Sequence, residues 1–231
     1  ASSVYHGFTL SARRRMTNGL YFRLAYTFAR AIDDTQDALV AGRPSLVQNS
    51  FATRAERGSS VTDQRHRVMV SWIYEPRWFH RDRPGLSRLF NDWKLAGVVT
   101  AGSGRPVNAR TFGDANRDAN TDNDRLPGVG RNSFVGPNYA TVDLRLTRRL
   151  RLGQRLKLDL VVEAFNTFNR ANKQVDVSDD GFLSGAARFV QMDTVVNGLP
   201  FPAQYQRQAS FLQPNDAYSP RQVQFAIRLT F

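Results

Sequence analysis

The chain contains no cysteine, which removes disulfide frameworks and thiolate metal sites and leaves the redox compartment open. It also lacks any apolar run of about 18 residues, so no helical membrane span is expected. The mean hydropathy of -0.45 is polar, but this does not count against a membrane barrel, whose strands need only about 9–11 residues with every second one apolar. The first residues, Ala-Ser-Ser-Val-Tyr, have no basic stretch followed by an apolar one. A secreted protein is made with such a leader, so the expectation is that it was removed or that the chain is a piece of a longer protein. No nucleophile elbow, P-loop, dinucleotide fingerprint or paired-acid motif occurs; no catalytic residue is assigned and no enzyme is expected. The three histidines, His6, His66 and His80, have no spacing that brings two onto one metal.

What the sequence has is positive charge, +12 from 32 Lys and Arg against 20 Asp and Glu. Such a balance ordinarily points to phosphate partners. Here the basic residues are spread through strands and turns, and no helix-turn-helix, zinc finger or aromatic RNP-like motif accompanies them. Nucleic acid is therefore not an expected partner. A length of 231 residues with 41% hydrophobic content suits one domain, 1–231.

The dominant signal is a period of two. His6, Phe8, Leu10 and Ala12 alternate with Gly7, Thr9, Ser11 and Arg13; after Asn18-Gly19, a dipeptide suited to a tight hairpin, Leu20, Phe22, Leu24, Tyr26 and Phe28 alternate with Tyr21, Arg23, Ala25, Thr27 and Ala29. The same pattern returns in segments led by Val68, Trp93, Ala140, Leu156 and Val223. Between them, a polar stretch at about 30–65 and two further stretches at about 103–138 and 169–219 read as long loops, and the other connections are short. Strict alternation of short and long connections puts all short turns at one end of an up-and-down antiparallel sheet and all long loops at the other. The predicted fold is all-β, an antiparallel meander of about seven strands forming part of a transmembrane β-barrel, with short periplasmic turns and long extracellular loops. Aromatics near strand ends, Tyr26, Phe28, Trp72, Tyr74 and Trp93, suit interfacial girdles in contact with outer-membrane lipid. The polar faces carry Arg13, Arg23, Arg67, Lys94, Asp143, Arg145, Arg149, Lys157, Asp159, Glu163 and Arg228. Their basic excess in a hydrated lumen favours an anionic solute.

In the second loop, Asp114, Asn116, Asp118, Asn120 and Asp122 place an oxygen ligand at every second residue, as hard-cation loops do. Calcium is the candidate ion, although Ala119 stands where such loops place glycine and no bidentate glutamate follows. An Asx-rich solvated turn accounts for the same residues. No other cofactor is expected.

The last segment, Arg221 to Phe231, resembles the terminal signal of outer-membrane proteins, an alternating strand closed by an aromatic. The resemblance implies recognition by the barrel-assembly machinery through Val223, Phe225, Ile227, Leu229 and Phe231. Tyr5–Arg15, Tyr26–Asp34, Asp63–Arg67 and Glu163–Asn169 resemble the C-terminal barrel of TonB-dependent receptors, in particular the Oar-like group. That resemblance covers nearly the whole chain and fades between about 175 and 215. It implies a cell outer-membrane receptor that imports a solute, energised by the TonB complex through a plug that this sequence does not contain. Receptors of that kind have about 22 strands, so the chain is expected to be the C-terminal part of the barrel. Two alternatives stand beside it: a non-transporting adhesion or secretion-linked outer-membrane barrel, and a soluble basic β-domain that binds polyanions and buries Phe225, Ile227 and Leu229 in the sheet's concave face.

Overall fold

The computed structural model describes residues 2–34, 47–49, 51–76, 91–111, 116–119, 124–153, 156–175, 182–183, 194–196, 198–201, 211–214 and 216–231. Seven long strands form one antiparallel sheet: β1 (Ser3–Thr17), β2 (Leu20–Asp33), β3 (His66–Tyr74), β4 (Trp93–Gly102), β5 (Tyr139–Arg151), β6 (Lys157–Phe165) and β7 (Gln222–Thr230). Each pairs with its sequence neighbours, so the sheet is a meander, and an eighth, two-residue strand, Gly58–Ser59, extends the edge of β2. Among the described residues β1 and β7 form no ladder with each other, and the sheet is open. Among the described residues no helix is long and apolar enough to cross a membrane.

The connections alternate as expected. Asn18 and Gly19 both take positive φ, 51° and 76°, the two-residue turn whose twist matches the flanking strands. A side chain at Gly19 would strike the Glu75 carbonyl, and the Glu75 amide donates to the Gly19 carbonyl at 2.7 Å. The turn is thus sewn to the end of β3. At the other rim β2 runs to Asp33, beyond the loop start expected near Arg30. Tyr5, Val4 and Ser3 pair with Ala31, Ile32 and Asp33 on one side, and Gly58–Ser59 covers the other. Backbone pairing carried the strand past the end of its hydrophobic pattern.

Register aligns the apolar positions of successive strands into continuous rows. Ala12, Leu24, Val70, Val99 and Val142 form one row; Leu20, Tyr74, Leu95, Leu146, Val162 and Phe225 form another. A one-residue slip anywhere would move a whole strand's apolar set to the other face. Trp72 lies opposite Gly97 in such a row, and its indole fills the space a Gly97 side chain would occupy. The rims of this face are aromatic. Tyr26 and Phe28 close on His66 at the long-loop end, with the Tyr26 hydroxyl 2.9 Å from His66 Nδ1. Trp93 lies under the Arg148 guanidinium, 4.9 Å from its ring centroid, at the short-turn end.

The two faces differ in crowding. Ala29, Thr147 and Val161, the sheet side chains buried below a tenth of their surface, all belong to the polar face, as on the inside of a curled sheet. On the apolar face Phe225 and Ile227 stay 79% and 75% exposed. A soluble β-domain would bury them, and a chain in water does not leave an apolar band of this extent open. Lipid is the solvent this face fits.

Replacing Val99, mid-strand on the apolar face, with arginine is expected to cost about 2–4 kcal/mol in lipid. Thr100→Arg, one residue on and facing the other way, is expected to cost below about 0.5 kcal/mol. Urea unfolding of the protein in liposomes measures both; equal costs would contradict the face assignment.

Candidate functional site

The hydrophobic core lies outside the sheet. Beyond the long-loop rim, Val107, Ala109, Leu126, Phe134 and Phe211 pack together, with Val129 and Leu212 against them. Phe134 and Phe211 meet edge to face, centroids 5.1 Å apart. The long loop expected at 103–138 thus contributes most of a packed core. Pro106–Val107 and Phe134–Val135 pair as a short antiparallel ladder, and the Leu126 amide donates to the Ala109 carbonyl at 3.1 Å. The loop's scattered apolar residues are too few to show a period, yet folding back places them on one another.

Charged groups buried in this cap are paired, as their desolvation requires. Glu56, at the end of the 3-10 turn Thr53–Glu56, is fully buried and receives both the Arg125 guanidinium and the Gln48 amide, the latter at 3.0 Å. Arg131 donates to the Glu56 carbonyl through Nε at 2.7 Å and to the Asp33 carbonyl through Nη2 at 2.7 Å, and it pairs with the Asp33 carboxylate. One arginine thereby ties the first long connection, the second and the end of β2. Asp63 accepts the Ala31 amide at 2.7 Å. On the far side, the Asn172 side chain pairs with Ala140 like a neighbouring strand, its Nδ2 donating to the carbonyl and its Oδ1 accepting the amide, both at 2.8 Å. Asp143 accepts the Asn166 amide at 2.8 Å, and Asn166 and Asn169 take the positive φ that turns the chain out of β6.

Of the five residues considered for calcium, Asp114, Asn120 and Asp122 lie outside the described residues. Asn116 Nδ2 donates to Asp118 Oδ2 at 3.0 Å, and the Asp118 amide donates to Asn116 Oδ1 at 3.0 Å. The Asn116 side chain also reaches the Gln48 carbonyl at 3.0 Å. Two of the candidate ligands therefore hold an Asx turn that leans on the first long connection. Among the described residues no three His, Asp or Glu side chains converge as a metal site.

The polar face of the sheet divides in two. Over β5 and β6 two of its arginines are neutralised across the ladder: Arg145 with Glu163 at 3.4 Å, and Arg149 with Asp159 through Nε at 2.8 Å and Nη2 at 3.2 Å. At the short-turn rim Lys94 meets Glu75 at 3.3 Å and Arg151 meets Asp92 at 3.0 Å. Arg145 and Arg149 are thus committed to ion pairs. Over β1 and β2, Arg13 and Arg23 face each other with no such partner among the described residues.

A family model described as an outer membrane beta barrel domain matches residues 1–129 and 125–224. The chain belongs to that family. No curated protein matches it. Membership agrees with the lipid-facing apolar rows, and it sets the barrel domain's paired polar face toward a hydrated interior.

The terminal residues singled out in the sequence occupy β7. Val223, Phe225, Ile227 and Leu229 pair with Ala164, Val162, Leu160 and Leu158 of β6, all on the apolar face, and Phe231 follows the last strand residue, almost fully exposed. What the sequence did not reveal is the buried set Glu56, Arg125 and Arg131. Charged residues in polar loops carry no periodic signal, and only three-dimensional closure of two loops brings these three together.

Glu56→Ala strips the buried Arg125 of its partner and is expected to destabilise the cap by about 3–5 kcal/mol. Faster tryptic cleavage within 103–138, with amide exchange of the sheet unchanged, is the expected readout. The double change Glu56→Leu with Arg125→Met is expected to restore protection, and no difference between wild type and Glu56→Ala would remove the pair from the cap's support.

Proposed function

We propose that the barrel domain sits in the outer membrane as the C-terminal part of a TonB-dependent uptake receptor, with its polar face lining the path of a solute and the loop cap standing over the path's outer mouth. The observation that carries this reading is the combination of a basic, ligand-accessible polar face with a folded cap on the long-loop rim. The resemblance to TonB-dependent receptors supports it at particular residues. Asp33, Asp63, Asn166 and Asn169, all within the resembling stretches, are the residues that fasten the long connections to the strands. In this reading energy comes from the inner-membrane TonB complex acting through a plug.

Comparing what is depleted from the medium by cells with and without the protein identifies the solute. Removing TonB is then expected to stop that depletion. Depletion that continues without TonB would overturn energised uptake, and no protein-dependent depletion at all would favour an adhesion or secretion-linked barrel.

The exposed aromatic end of β7 is, in the same reading, the feature met by the barrel-assembly machinery. Phe231→Ala is expected to lower the inserted fraction several-fold in cells, measured by heat-modifiable gel mobility, while refolding into detergent stays unchanged. Unaltered insertion would remove Phe231 from that role.

A further inference from the structure

Arg13 and Arg23 stand directly opposite each other in the β1–β2 ladder, both on the polar face and both exposed. Opposed residues of an antiparallel pair hold their Cβ atoms about 5 Å apart, a spacing at which like charges repel. At three places on this face a basic residue is answered by an acid on an adjoining segment: Glu163 for Arg145, Asp159 for Arg149, Glu75 for Lys94. Arg23 is met on its other side by Ser71, a hydroxyl in place of a carboxylate. Among the described residues neither Arg13 nor Arg23 forms an ion pair, and neither carries a further contact. Two guanidiniums and a hydroxyl on three successive strands offer donors to an anion without a carboxylate among them, and arginine forks match the oxygens of carboxylates and phosphates.

We propose that Arg13, Arg23 and Ser71 form a binding site for a small multivalent oxyanion, a polycarboxylate or a phosphate ester, near the short-turn end of the polar face. The bound anion offsets the repulsion that the ladder otherwise imposes. This deepens the uptake reading, on which it rests, by naming the ligand class and the strands that hold it. It also explains why the ion-paired Arg145 and Arg149 do not serve: binding there must first displace Glu163 or Asp159.

The test uses the protein reconstituted in liposomes, with citrate and pyrophosphate as probes followed by calorimetry and thermal unfolding. Wild type is expected to bind one or both probes and to melt a few degrees higher in their presence. Arg13→Gln with Arg23→Gln is expected to weaken binding at least tenfold. Arg13→Gln alone is expected to melt no lower than wild type without a probe, because it relieves a like-charge contact. Arg145→Gln, whose charge is already answered, is expected to leave probe binding unchanged. Absence of binding to wild type, or equal binding by the double variant, overturns the site. A clear fall in melting temperature of Arg13→Gln without any probe also overturns it, since the arginine would then already hold a counterion from the protein. Refutation of the site with uptake still dependent on TonB leaves the uptake reading standing, whereas anion binding lost in the double variant supports the site even where uptake proves independent of TonB.

Discussion

A sheet that meets lipid on one side and water on the other has a single permitted register. In hydrocarbon no water is present to satisfy a stray amide or carbonyl, so backbone groups must pair within the ladder. Because side chains alternate, each pairing also decides which face every residue takes. The rows that run from Ala12 through Leu24, Val70 and Val99 to Val142, and from Leu20 through Leu146 to Phe225, are the outcome of both demands met at once. The Asn18-Gly19 turn and its link to Glu75 fix the offset between β1, β2 and β3, from which the rest of the meander follows strand by strand.

That constraint explains why so much of the sheet was readable in one dimension. A period of two survives in a lone sequence because lipid selects every second residue independently of its neighbours. The faces read for β2, β3, β4, β5, β6 and β7 are the faces the ladder uses. Arg148 shows the limit. Its position puts it on the apolar face, and the sequence pattern gives no reason for a cation there. In three dimensions it lies over Trp93 and donates to the Asn91 carbonyl at the short-turn rim, where a long side chain keeps its charge at the interface while its stem covers apolar surface. The cap was illegible for a different reason. Leu126, Phe134 and Phe211 reach one another only after two long connections fold back, and Arg131 finds Asp33 across nearly a hundred residues, a relation that no local pattern encodes.

Sheet and cap solve the placement of charge in opposite ways. In the sheet, Arg145 and Arg149 pair across neighbouring strands while remaining half-open to water, an arrangement whose net worth is small and which costs little to rearrange. In the cap, Glu56, Arg125 and Arg131 are almost wholly withdrawn from solvent. Loss of one partner there strands a charge in a poor medium, and the penalty is several-fold larger. The cap is therefore a specified structure rather than a loose fringe, and its buried pairs fix which connection lies against which.

This contrast bears on where a ligand can act. A solute that competes for the buried cap pairs must pay their full desolvation, so recognition through Glu56 or Arg131 is disfavoured. A solute that meets Arg145 or Arg149 must displace an acid already in place at hydrogen-bonding distance. Arg13 and Arg23 impose neither requirement, because the ladder has brought them together and no acid among the described residues answers them. Register, having satisfied the backbone and the lipid, leaves a residual electrostatic cost at this cross-strand pair, and an anion that reduces it gains affinity from strain the fold already carries.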